Sequence, residues 1–237
     1  MNSTIRNILL DIEGTTTPIN FVYQVLFPFA RRSLRAYLIQ HWSTDEVQTD
    51  LALLREEHAA DTQQGLNPPV LQTDVESVTE YLYWLMDRDR KSTPLKSLQG
   101  KIWRQGYESD GLLSQVFDDV PPALQRWHQH GKQIYIYSSG SVLAQKLLFG
   151  HTVAGDLNPL LSGYFDTTIG AKTETESYRR IAANIQQPPE TFLFVSDVVA
   201  ELNAASTAGM QCALSVRAGN HPQPANAFQP INSFDAL

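Results

Sequence analysis

The chain contains 237 residues, of which 42% are hydrophobic and 18% are charged, which is typical of a globular protein and too apolar for a disordered one. Its 18 basic and 25 acidic residues give a formal net charge of −7. This charge argues against a nucleic-acid binder or a protein of anionic membrane surfaces, because such polyanions would be repelled. A small anionic substrate is still possible, since it needs only a local positive site.

Three further global features bear on the location and assembly of the protein. Cys212 is the only cysteine, so no internal disulfide can form and a cytoplasmic location is expected. No apolar run approaches the ~18 residues that a membrane span requires. No helical pattern shows a sustained heptad repeat, so a monomer is expected.

The first predicted element is a buried strand over residues 8–12, an apolar run interrupted only by Asp11. Its carboxyl end would deliver Asp11 and, just before Gly14, Glu13. In such a pair one carboxylate can attack as a nucleophile while the other carries the proton of the leaving oxygen. Acids also end strands by contacting turn amides, so the pattern alone leaves both interpretations open.

A region with the hydrophobic periodicity of helices follows this strand. Apolar residues recur at helical spacing within residues 21–38, 75–85 and 95–102. Because a strand precedes this region and strand signals resume after it, the region is predicted to be an insertion. The predicted domains are a core of residues 1–17 plus 118–237 and an all-helical cap of residues 18–117.

The rest of the chain alternates between strand and helix. This alternation predicts an α/β fold, a Rossmann-like doubly wound parallel sheet that binds ligands at the carboxyl ends of its strands. Pro222, Pro224 and Pro230 predict a loop-rich tail. The strands are predicted at 133–137, 191–196 and 211–216, and the helices at 141–149, 174–185 and 198–208.

Polar residues precede each of these three predicted helices. Ser138 and Ser139 come directly before a predicted helix, where hydroxyls and free amides can hold an anion or simply cap the helix. Lys172 precedes the next helix and could neutralise a carboxylate and a phosphate together, although most lysines are surface residues. Asp197 follows the strand at 191–196, with Glu201 one helical turn later; it is a suitable Mg²⁺ ligand or a helix cap.

In this order, acid-x-acid-Gly-Thr, strand–Ser, a later Lys and strand–Asp resemble the four motifs of the haloacid dehalogenase (HAD) superfamily of phosphatases. The helical block lies where that superfamily inserts its cap. The resemblance implies these roles: Asp11 as nucleophile, Ser138 or Ser139 as phosphate ligand, Lys172 as the residue that orients both, Glu13 as a proton carrier, and one Mg²⁺ per chain bound by Asp11, Asp197 and the backbone carbonyl of Glu13.

Two departures and several longer segments narrow the resemblance. Glu13 replaces the usual Asp, and Val198 replaces an acid after Asp197, so Glu201 is a candidate to orient Lys172. The segments at 10–19, 95–103, 135–141 and 144–151 are similar to the bifunctional enolase-phosphatase family of methionine salvage. That family implies a small phosphorylated diketone substrate, a methylthio-substituted diketopentyl phosphate, which is enolised and then dephosphorylated to an acireductone. The enolising base is left open between Glu13 and a cap residue.

Three other functions are weighed against this one. A HAD phosphatase of another small phosphoester would use the same residues. A metal-free haloacid dehalogenase would use Asp11 but would not need Glu13 or the metal position at Asp197. A non-catalytic binding protein of this fold would usually lack the nucleophile or the lysine, and both Asp11 and Lys172 are present.

Within the cap, aromatic side chains are candidates to surround the methylthio group, although core packing is their more frequent role. Gln99 and Lys101 are candidates to reach substrate oxygens, with an ordinary helix surface as the alternative. The aromatic candidates are Phe21, Trp84, Trp103 and Tyr107.

Overall fold

The computed structural model describes residues 4–109 and 111–237. Residues 1–3 of the predicted core and residue 110 of the predicted cap lie outside the described part. The chain divides into two compact units, the first comprising residues up to Gln24 together with Leu113–Leu237 and the second comprising Val25–Leu112. The core-and-cap division with boundaries after residues 17 and 117 stays a prediction.

One parallel sheet organises the first unit. Its strand order is β3-β2-β1-β4-β5-β6, and every neighbouring pair runs parallel. The order reverses direction around β1, which confirms the predicted Rossmann-like doubly wound fold. The strands are β1 (Asn7–Leu10), β2 (Gln133–Tyr137), β3 (Gly163–Phe165), β4 (Phe192–Ser196), β5 (Gln211–Ser215) and β6 (Gln229–Ile231).

Helices connect these strands, and a core of apolar side chains lies between them and the sheet. Phe194 of β4 and Tyr178 of the helix that precedes this strand are fully buried there. Cys212 packs partly buried against the same core, and burial raises the pKa of its thiol to about 12. The helices of this unit are α1 (Ile19–Phe21), α6 (Val120–Gln129), α7 (Val142–Gly150), α8 (Thr175–Ile185) and α9 (Val199–Thr207), with 3₁₀ turns at Asn158–Leu160, Pro189–Thr191 and Phe234–Ala236.

The second unit is helical in its described residues. A π-helical turn (Val22–Leu26) leads into it from α1, and its helices pack through buried apolar side chains such as Leu38, Leu54 and Leu82. Three of these helices begin with a side-chain cap. The side chains of Thr44, Asp74 and Ser92 each accept a hydrogen bond from an amide of the first helical turn, which has no acceptor within the helix. The helices are α2 (Phe27–His41), α3 (Asp45–Gln63), α4 (Val75–Met86) and α5 (Thr93–Glu108).

The structure corrects the sequence predictions at the ends of the sheet. β3 and β6 were not predicted, because strands of three residues are too short to show a periodic pattern. The predicted loop-rich tail contains β6, and Pro230 is tolerated there because β6 is an edge strand with one unpaired side. β1 ends at Leu10 rather than at Ile12, since the Ile12 carbonyl accepts hydrogen bonds from the amides of residues 15–17 and turns the chain.

None of the helices among the described residues combines the length and apolar character needed to cross a membrane.

A partly buried ion pair links the loop after β5 to the start of α6. The Arg217 guanidinium donates to both carboxylate oxygens of Asp119, at 3.0 and 2.9 Å, and also to the carbonyls of Thr15 and Asn232. Burial by itself raises the pKa of Asp119, but hydrogen bonds from Arg217 and the Phe234 amide lower it overall. The pair therefore stabilises the fold at neutral pH.

Replacing Arg217 by Met is expected to lower the free energy of unfolding by about 3 kcal/mol, the lower end of the range for buried pairs, because it leaves the partly buried Asp119 carboxylate without its cation. The lowered pKa makes this contribution complete above the pKa of the unfolded carboxyl, and it is lost as the pH falls through the folded value. Denaturant unfolding at pH 7 measures the effect. The control is Asp235→Asn, which removes an exposed pair with Arg126 and should change stability by less than about 1 kcal/mol; equal effects would contradict the assignment.

Candidate active site

The register of the sheet brings three chain segments to one edge. Leu10, the last residue of β1, pairs with Ile136 of β2 and with Val195 of β4. Asp11 therefore leaves its strand at the level where β2 and β4 also end, and Asp197 follows β4 directly. We call the sheet edge formed by the ends of β1, β2 and β4 and the residues that follow them the carboxyl edge. Open parallel sheets bind their ligands at this edge.

Lys172 reaches this edge and lies between two carboxylates. Its ammonium nitrogen is 2.5 Å from Oδ1 of Asp11 and 2.7 Å from Oε2 of Glu201. Burial alone lowers the pKa of Lys172, but attraction to Asp11 and Glu201 raises it well above its ordinary value. Lys172 is therefore a permanent cation, suited to neutralising anionic oxygens and unsuited to accepting a proton.

Ser196 also bridges the two carboxylates. Its hydroxyl donates to Oε2 of Glu201 at 2.9 Å and lies 3.3 Å from Oδ2 of Asp11. Burial and the nearby Asp11 raise the pKa of Glu201, and Lys172 partly offsets this rise. The direct contact between Glu201 and Lys172 is consistent with the predicted role of Glu201 in orienting Lys172.

Three hydroxyl groups hold the backbone that carries Lys172. The consecutive carbonyls of residues 170–172 accept hydrogen bonds from Tyr137, Ser177 and Tyr178, at 2.8, 2.7 and 2.7 Å. Burial, followed by repulsion from nearby carboxylates, raises the pKa of Tyr178, so its hydroxyl keeps the proton that it donates. The ammonium position is therefore set by a braced loop as well as by its ion pairs.

Two glycines allow this close packing. A Cβ on Gly14, whose φ is +68°, would lie 2.4 Å from a carboxylate oxygen of Asp197 and 2.8 Å from the side-chain oxygen of Asn220. A Cβ on Gly170 would lie 2.2 Å from the Ser177 hydroxyl. Any other residue would displace the side chains of the carboxyl edge.

Asp197 is a carboxylate of this edge for which the described residues provide no basic partner. Among residues 4–109 and 111–237 it forms no ion pair with a basic side chain. Burial, followed by repulsion from Asp11 and Glu201, raises its pKa to about 7, against a smaller opposing effect of Lys172. A buried, electrostatically crowded carboxylate of this kind favours a bound cation.

The oxygen donors near Asp197 fit Mg²⁺. No group of three or more His, Cys, Asp or Glu side chains in the described part of the chain could hold a metal alone. Mg²⁺ does not need such a cage, because it binds through one or two carboxylates and takes its other ligands from water and substrate phosphate. Asp11 and Asp197 supply two carboxylates, and the backbone of Glu13 lies in the tight turn that links Asp11 to Thr17.

The two candidate phosphate serines differ in exposure. Ser138 is buried and its hydroxyl oxygen accepts a hydrogen bond from the Gly140 amide at 3.2 Å, whereas Ser139 is exposed. Ser141 caps α7 by accepting from the Ala144 amide. The helix cap and the predicted phosphate site therefore use different serines, and both functions fit this turn.

The cap candidates lie mostly within the packing of their own unit. Lys101 pairs with buried Asp50 at 2.6 Å and donates to the Glu46 carbonyl at 2.9 Å, which makes it a structural cation of the second unit. Trp103 donates to the Leu26 carbonyl. A methylthio pocket formed by the four aromatics stays a prediction. The other candidates are Gln99 and Tyr107, both buried, Trp84, which is partly buried, and Phe21, which is buried in the first unit.

Sequence reasoning missed several residues of the carboxyl edge. Ser196 directly precedes Asp197, and Ser177 and Tyr178 lie within two turns of Lys172, so nearness to a motif was the available signal. Tyr137 directly precedes Ser138 and so carries the same signal, whereas Asn220 carries none, because its partners are distant in the chain.

The raised pKa of Asp197 predicts a pH-dependent stability of the metal-free protein. Its pKa rises from 3.8 to about 7 on folding, so the cost of burying its charge is absent below about pH 4 and grows as the pH rises to about 7. Asp197→Asn is therefore expected to stabilise the protein in excess chelator at pH 8 by roughly 2–4 kcal/mol. Denaturant unfolding at pH 5.5 and pH 8 measures this gain, which parallel profiles of variant and wild type would contradict.

Comparison with known proteins identifies the family. A family model described as haloacid dehalogenase-like hydrolase matches residues 5–209. Enolase-phosphatase E1 of Synechococcus elongatus is 53% identical over 234 residues, which cover 99% of this chain and 98% of that protein. The match runs through both compact units, so it includes the helical unit as well as the carboxyl edge.

Two further relatives extend the comparison. A probable bifunctional methylthioribulose-1-phosphate dehydratase/enolase-phosphatase E1 of Vitis vinifera is 47% identical over 98% of this chain, which spans 47% of that longer protein. The crystal structure of the UTR4 protein of Saccharomyces cerevisiae superposes with a TM-score of 0.82 at 34% identity, covering 98% of this chain and 100% of that one. The chain therefore belongs to the enolase-phosphatase E1 family of haloacid dehalogenase-like hydrolases.

Proposed function

We propose that this chain is the Mg²⁺-dependent enolase-phosphatase of methionine salvage, which converts 2,3-diketo-5-methylthiopentyl 1-phosphate to its enol and then to an acireductone and phosphate. The observation that carries the proposal is the Lys172 ammonium held between Asp11 and Glu201 at the carboxyl edge. This arrangement offers a positioned carboxylate nucleophile beside a fixed cation, which is what attack on a phosphate dianion requires.

The substrate follows from the chemistry that the grape relative's name describes. That protein joins a methylthioribulose-1-phosphate dehydratase to a segment like this chain. Loss of water from a ketose phosphate leaves a diketone that keeps both the phosphate and the methylthio group. Joining the two activities in one protein supports this diketone as the substrate of the enolase-phosphatase segment.

Asp11, Asp197 and the backbone carbonyl of Glu13 are the groups that would hold Mg²⁺. When bound, the ion offsets the charge of the phosphate and stabilises negative oxygen at the substrate carbonyl. Asp197 supports this assignment because its buried carboxylate has no basic partner among the described residues. The side chain of Glu13 is then left for proton transfer.

Asp11 is oriented for phosphoryl transfer by contacts to one of its oxygens. Its Oδ1 accepts from the Ile12 amide at 2.7 Å and from Lys172 at 2.5 Å, whereas within the described part of the chain Oδ2 has only the longer contact to Ser196. The carboxylate forms a bond to phosphorus as the bond to the substrate oxygen breaks, and Glu13 gives its proton to the leaving oxygen. Water then attacks the aspartyl phosphate, returns a proton to Glu13 and releases phosphate.

The enolisation step needs a base near the substrate carbon. The base takes the carbon-bound proton as the electron pair moves to the carbonyl oxygen, and that oxygen is then protonated. Glu13 and a side chain of the helical unit are the two candidates. Lys172 is excluded as this base because its raised pKa keeps it protonated.

The deciding experiment adds the diketo phosphate with Mg²⁺ and follows enol absorbance and free phosphate in the same reaction. The enol signal should rise before phosphate appears, and chelator should abolish phosphate release. Phosphate release without an enol product would support the alternative function, a phosphatase of another small phosphoester. Turnover of a haloacid in excess chelator without phosphatase activity would instead support the dehalogenase, and no turnover of either would support a binding protein.

Asp11→Asn is expected to reduce phosphate release by at least about a thousandfold, because an amide is too poor a nucleophile to form the phosphoryl intermediate. Phosphate release in single-turnover mixing measures the effect. Asp235→Asn is the matched control, since Asp235 is exposed in the same unit, and it should keep the wild-type rate. Wild-type phosphate release by Asp11→Asn would remove Asp11 as the nucleophile.

A further inference from the structure

We infer that Asn220 belongs to the Mg²⁺ site as a positioning residue, with its side-chain oxygen accepting a hydrogen bond from water that hydrates the ion beside Asp197. This inference rests on the Mg²⁺ dependence proposed above. It concerns a residue far from the four motifs in the chain, in the loop after β5.

The orientation of the Asn220 amide is set by two carbonyl groups. Its Nδ2 donates to the carbonyl of Gly14 at 2.9 Å and to the carbonyl of Ser215 at 3.2 Å. Rotating the amide by a half turn would place its oxygen against both of these acceptors. The nitrogen therefore faces the two carbonyls, and Oδ1 must point away from them.

Oδ1 of Asn220 is buried and has no hydrogen-bond donor within the described residues. It lies 2.8 Å from the Cβ position of Gly14, and a carboxylate oxygen of Asp197 lies 2.4 Å from the same point. The two oxygens are thus at most about 5.2 Å apart. While Asp197 is ionised, both oxygens are acceptors and neither satisfies the other, and a buried acceptor without a donor destabilises the protein.

Hydrated Mg²⁺ supplies the missing donor. The ion keeps several of its waters when proteins bind it, and these waters donate strongly to nearby oxygens. An acceptor close to a metal-binding carboxylate orients such a water and strengthens binding, as outer partners of metal sites do. Gly14 permits the arrangement, because any Cβ there would lie between Asp197 and Asn220.

The test measures Mg²⁺ affinity by calorimetry and by the ion-dependent rise in unfolding temperature, without substrate. Asn220→Leu removes donor and acceptor and is expected to raise the dissociation constant about tenfold. Asn220→Asp also removes the donor but keeps an acceptor oxygen, so its dissociation constant should stay within about threefold of wild type or fall. Asn220→Ala replaces the Leu variant if circular dichroism shows that the latter is unfolded.

Ser215→Ala controls for the support of the Gly14 backbone, because the Ser215 hydroxyl donates to the same Gly14 carbonyl at 2.9 Å. Its dissociation constant should stay within about twofold of wild type. Equal weakening in the Leu, Asp and Ser215 variants would assign Asn220 to backbone support and overturn the inference, as would unchanged affinity in Asn220→Leu. If the wild-type protein binds no Mg²⁺, the proposed metal dependence is overturned together with the inference. If the wild type binds Mg²⁺ and Asn220→Leu binds it equally well, only the inference is overturned.

Discussion

The buried ammonium of Lys172 is the interaction on which the rest of the carboxyl edge depends. Asp11 and Glu201 raise the pKa of Asp197, and Asp11 raises the pKa of Glu201; three buried anions would also repel any phosphate. Lys172 neutralises part of this charge and remains protonated because two carboxylates surround it. The charge that remains at the site is negative and suits a divalent cation. A bound divalent cation would in turn attract a phosphate.

The surrounding structure serves to keep this cation in place. Hydroxyl donors hold all three carbonyls of residues 170–172, and Gly170 lets the Ser177 hydroxyl approach the backbone. The turn after β1 closes on the Ile12 carbonyl, and Gly14 in this turn allows Asp197 to come near. Rigid support of this kind is needed because electrostatic catalysis works only when charges are positioned before the reaction begins.

Much of the fold and of the candidate site could be predicted from local patterns. Long apolar strands, their alternation with helices and the acids at strand ends indicated the sheet and the carboxyl edge. The short strands β3 and β6 could not be predicted, because three residues carry no periodicity and Pro230 argues against a strand. Asn220 was missed for a different reason, since it contacts the site across a large separation in sequence.

The sequence by itself determined the chemistry available to this protein. Its motifs specified a carboxylate nucleophile, a later lysine and an acid after a strand, because each of these depends on residue type and on the end of one local element. The tertiary structure decided which of these charges meet. The pairing of Lys172 with both Asp11 and Glu201, the lack of a basic partner for Asp197 among the described residues, and the unmatched oxygen of Asn220 depend on strand register and loop packing. Those are long-range distances, and no local pattern encodes them.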